Sequence, residues 1–70
     1  GLGEQVAAEE LERAYNDVAD AASHVVDFAV DVPARGVATV PLDEMSALRD
    51  AVHAWRKASA AFIRLQRRRA

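Results

Sequence analysis

Apolar positions recur at helical spacing in two long stretches, with a break between them. From about Glu4 to Asp31, Leu11, Val18, Val25 and Val32 fall seven residues apart. Ala14, Ala21 and Phe28 form a companion row, with Tyr15, Ala22 and Ala29 beside it. Rows at this spacing put an apolar stripe on one side of a helix. Glu9, Glu12, Arg13, Asp17, Asp20 and Asp27 occupy the other side. About 28 helical residues would extend roughly 40 Å.

The pattern stops at Val32-Pro33-Ala34-Arg35-Gly36. Proline lacks a backbone donor and disfavours a helical residue before it. Gly36 can take the positive φ that a chain reversal needs. Val37-Ala38-Thr39-Val40-Pro41 then reads as extended, an ordinary loop or a short strand pairing across a dimer. Helical spacing resumes near Leu42 and predicts a second helix over about 43–68. Its apolar rows are Met45, Val52, Ser59 and Leu48, Trp55, Phe62, flanked by Ala51, Ala58 and Leu65. Asp43 is placed to be its N-cap, with Leu42 before it as an apolar staple and Ala47 as that staple's contact. The alternative puts Pro41 at the first helical position. In either case Asp43 and Glu44 complement the positive end of the helix dipole, and the terminal arginines suit its negative end.

The fold predicted is all-α: an antiparallel helical hairpin spanning residues 1–70 as one domain, helix 4–31, loop 32–42, helix 43–68. Length adds a constraint. A single core in a chain of 70 residues rarely supplies more than about 3–5 kcal/mol. There is no cysteine, so disulfides and thiolate metal sites are excluded. Self-association is the remaining route to stability. The apolar face of the second helix, Leu48 to Leu65, is also wider than a two-helix seam requires, which predicts more than one neighbour. A dimeric four-helix bundle satisfies both. The residues expected to carry association with a second copy or a protein partner are Leu11, Val18, Val25, Phe28, Leu48, Val52, Trp55, Phe62 and Leu65. Trp55 is expected in the core or dimer core, or failing that as a partner anchor.

Charge sharpens the picture. Residues 1–31 carry eight acidic groups against Arg13, a net of −7. Residues 32–70 carry eight basic against three acidic groups, a net of +5, and the two halves give the overall −2. An antiparallel hairpin would bring Glu9, Glu10 and Glu12 towards Arg64, Arg67 and Arg68. Exposed pairs of this kind contribute about 0–1 kcal/mol each, but they disfavour a parallel arrangement.

Candidate chemistry is sparse. Arg64, Arg67, Arg68 and Arg69 could contact an anionic partner, and nucleic-acid binding through phosphates is the alternative function. The chain as a whole is acidic and no aromatics interleave with the arginines, so a solvated helix end is the simpler reading. Asp20/His24 and Asp50/His53 have spacings found in bundle metal sites. Their positions point away from the apolar stripes, and Asp is shorter than the Glu such sites use, so no metal and no cofactor is expected. Ser23, Ser46 and Ser59 lack a nucleophile elbow or a matched His/Asp set, so the protein is read as non-enzymatic. The most apolar stretch is too short and too acidic to span a bilayer, and a cytoplasmic location is expected.

Overall fold

A computed structural model describes residues 1–31 and 40–69, and the side chains of 1–28 and 40–68. The chain is an all-α hairpin: α1 covers Leu2–Asp31 and α2 covers Leu42–Arg69. The readings of Pro33, Gly36 and the Val37–Thr39 stretch lie outside the described residues. The molecule measures 54 × 17 × 13 Å, a two-helix slab rather than a sphere.

Both helices begin slightly earlier than their apolar rows suggest. In α1 the amide of Gln5 donates to the Gly1 carbonyl at 3.2 Å. Gly1 is therefore the cap residue, and Gly3 lies within the first turn. Glu4 in that turn sits 3.9 Å from the Gly1 amine, a favourable placement at a helix start.

The start of α2 corrects both sequence alternatives. The amides of Glu44 and Met45 donate to the Pro41 carbonyl at 3.1 and 3.2 Å. Pro41 is therefore the residue before the first helical position, and its carbonyl accepts the first helical bond. Asp43 stands inside the first turn and is not the cap. Leu42 is 81% exposed, so it forms no staple against Ala47. The physical reason is local: proline's fixed φ and missing donor suit a helix boundary, and its carbonyl also accepts from the Glu44 amide, one of the first-turn donors a cap side chain would serve. The acidic pair Asp43 and Glu44 still complements the dipole.

The helices run antiparallel. His24 lies opposite Glu44, and Ala14 lies beside Ala54 and Ala58. On α1 the seam is built from Ala7, Leu11, Ala14, Val18, Ala21, Val25 and Phe28. On α2 it is built around Leu48, Ala51, Ala58, Phe62 and Leu65. Ala7 and Ala14 alone count as buried among the described residues. The larger side chains of the seam are only half-covered. The reason is geometric: each helix of a hairpin has one neighbour, so a seam residue is shielded from one direction and open on its flank.

Candidate association surface

Every residue expected to carry association lies in or beside the seam, yet none is enclosed. Leu11, Val18, Val25 and Phe28 on α1 are half-buried, as are Leu48, Val52, Phe62 and Leu65 on α2. Trp55 is 37% exposed, so the hairpin by itself does not provide a core for it.

Leu2, Val6 and Leu42 are exposed near the helix starts, and the rest of the open apolar surface is gathered on one side. On α1, Tyr15 and Val26 are exposed, and Ala8, Ala19 and Ala22 share their side of the helix by spacing. On α2, Met45, Trp55 and Ile63 are exposed, with Val52 half-covered between them. Viewed down α1 from its start, Tyr15 and Val26 lie clockwise of the seam. Seen from the same point, α2 winds the other way, because it runs towards the viewer. Met45, Val52 and Ile63 therefore lie on the same side of the hairpin as Tyr15 and Val26. The opposite side is mainly polar, with Val6 also exposed on it near the start of α1. On that side a shallow, open groove of about 210 Å³ is lined by Glu10, Arg13 and Asp17 with Ala14, Ala54 and Ala58.

The apolar side was only half legible in the sequence. Val52 and Trp55 were identified as interface positions. Tyr15 and Met45 stand in the predicted apolar rows but outside the predicted interface set, and Val26 and Ile63 are outside that set too. Their signal was the width of the stripe on both helices.

The surface area carries the same message. The chain exposes 5507 Å², whereas a compact monomer of 7.6 kDa would expose about 4,300 Å². The excess is what the elongated two-helix shape leaves uncovered.

Charge does not close the hairpin in the way the sequence suggested. Among the described residues, no ion pair joins Glu9, Glu10 or Glu12 to Arg64, Arg67 or Arg68. These groups share an end of the molecule, but Glu10 lines the polar groove and the helical positions of the others turn them to the outer faces. Arg64 instead donates from Nε to the Ala60 carbonyl at 3.4 Å, one turn earlier in its own helix. Arg67 and Arg68 are exposed.

The cross-seam pair is at the other end. His24 Nδ1 is 3.9 Å from Glu44, and its Nε2 is 3.9 Å from Asp20. The two carboxylates approach opposite nitrogens of the ring, so they do not converge on a common point as metal ligands would. Among the described residues no group of three or more His, Cys, Asp or Glu is arranged to hold a metal ion. Asp50 and His53 are exposed, and Asp50 lies 3.5 Å from Arg49. No described helix is long and apolar enough to cross a membrane.

Compared with known proteins, the chain matches no family model, no curated protein and no solved structure.

Proposed function

We propose that this protein is a non-enzymatic self-association module, a hairpin that completes its core by pairing into a dimeric four-helix bundle. The observation that carries the reading is the one-sided exposure of Tyr15, Val26, Met45, Trp55 and Ile63 over a seam whose buried residues are two alanines. Large apolar side chains exposed together on one side are characteristic of interaction sites. Burying it is also the remaining source of stability for a short chain without disulfides.

Light scattering behind a sizing column, over a range of loading concentrations, tests this directly. The expected mass is 15.2 kDa, twice the 7.6 kDa of one chain. Substituting Ile63→Lys on the open side should shift the mass towards the monomer. A wild-type mass of one chain at every concentration would overturn the reading.

The exposed Arg67 and Arg68 favour a second reading, contact with an anionic partner such as nucleic acid. A salt-titrated mobility shift decides it. Retardation at low salt that disappears as salt rises supports phosphate contacts, and no retardation at tens of micromolar protein removes them.

A further inference from the structure

Resting on the self-association reading, the structure also points to how the two copies are arranged. We infer that the two-fold axis runs along the helices. The Asp31/Leu42 ends of both copies then lie together, and α1 of each copy packs over α2 of its partner.

A slab that pairs through one face can do so about two kinds of in-plane axis. An axis along the helices lays α1 over the partner's α2. An axis across the helices lays α1 over the partner's α1, and α2 over the partner's α2, with the Asp31/Leu42 ends far apart. Both make the closed, self-complementary contact of a two-fold dimer. Three observations separate them.

Charge is the first. The α1 segment carries eight acidic groups and one basic group, a net of −7. The α2 segment carries seven basic and three acidic groups, a net of +4. Stacking like helices opposes acid to acid and base to base, and like charges brought together across an interface disfavour the complex. Stacking unlike helices pairs them. Among the described residues no ion pair joins Glu9 or Glu12 to Arg64, Arg67 or Arg68 within the chain.

Side-chain size is the second. The pairing of His24 with Glu44, and of Ala14 with Ala54 and Ala58, sets the register of the hairpin. An axis along the helices preserves that register between copies. Ala8 is then level with the partner's Ile63, Ala19 with the partner's Val52, Val26 with the partner's Met45, and Tyr15 with the partner's Trp55. Large residues on α2 meet alanines on α1 at two of the four levels, and an aromatic pair fills a third. Such alternation lets facing layers interdigitate. Like-on-like stacking sets the bulky α2 rows against each other, Met45 level with Ile63 and Val52 with Trp55, whereas on α1 it too sets alanines level with larger residues, Ala8 with Val26 and Ala19 with Tyr15, so it is the α2 pairing that separates the two arrangements.

The rim is the third. Beyond the apolar rows, Glu12 follows on α1 and Arg56 follows on α2, and both are exposed. The same register puts Glu12 beside the partner's Arg56, twice in the dimer.

Electron-spin distance measurement on the full chain provides the test. The chain has no cysteine, so single labels can be placed at Gln5→Cys and, separately, at Asp27→Cys, both exposed positions. With the axis along the helices, each label lies a bundle's width from its copy, about 20 Å at either position. With the axis across them, both separations grow to about 35 Å, from the 1.5 Å rise per residue. Long distances in a dimer would overturn the arrangement and leave self-association standing. A protein that is monomeric by mass would overturn both, and would leave the face to a different partner. Charge reversal gives an independent readout. Glu12→Arg or Arg56→Glu alone should weaken dimerisation about tenfold, since symmetry counts the rim pair twice. The double exchange should restore it, and failure of the exchange to restore it would count against the pairing.

Discussion

Replacing Trp55 by alanine separates the hairpin from the dimer, because the indole serves both by different amounts. In the hairpin Trp55 is 37% exposed, so of the roughly 250 Å² a Trp can bury, about 90 Å² is left for a second copy to cover. At about 25 cal/mol per Å² that edge contributes about 2 kcal/mol per protomer, or about 4–5 kcal/mol per dimer. The part already covered within the chain is worth about 2–4 kcal/mol, since alanine keeps part of the contact and the unfolded chain is not fully extended. Denaturation followed by helical circular dichroism, at two protein concentrations a hundredfold apart, reads both contributions. The wild type should gain about 2.7 kcal/mol of apparent stability at the higher concentration through mass action. Trp55→Ala should lose the hairpin share at low concentration and most of the concentration dependence besides. For a chain whose core supplies about 3–5 kcal/mol, the variant should be largely unfolded at the lower concentration. A variant with the wild-type midpoint would refute the packing argument. One that loses stability but keeps the full concentration dependence would show that the open edge of the indole is not covered by a second copy.

Gly3 lies in the first turn of α1, and a Cβ there would meet nothing within 4 Å. Gly3→Ala should therefore stabilise the protein by about 0.5–1 kcal/mol, visible as a higher denaturation midpoint; a lower one would mean the position is constrained. Ala14 is 8% exposed and lies in the seam beside α2. Ala14→Leu should cost about 1–3 kcal/mol by overpacking, whereas Ala60→Leu on the exposed outer side should leave the midpoint within about 0.5 kcal/mol. Reversing the acidic start of α2 with Asp43→Lys should cost about 0.3–1 kcal/mol through the helix dipole, and the loss should shrink as salt is added. An unchanged midpoint at low salt would remove the dipole argument for this turn.

The sequence by itself determined the two helices, their approximate ends and the side each turns inward. Leu11, Val18 and Val25 share a stripe because 3.6 residues make a turn, whatever the helix packs against. Pro41 bounds the second helix because its ring fixes φ and removes a donor. The opposed charges of the two segments were equally plain. What only the tertiary structure decided was which rows meet. The apolar arc of each helix covers far more of its circumference than one neighbour can shield. Periodicity cannot say which part becomes the seam and which stays open. Packing selected the rows containing Ala7 and Ala14, where small side chains allow the closest approach, and left Tyr15, Val26, Met45 and Ile63 together on one side. The same selection turned Glu9, Glu12 and Arg67 outward and brought Glu44 across to His24. A charge pattern summed along a helix carries no angle about its axis; the angle is fixed only when a second helix is laid beside it.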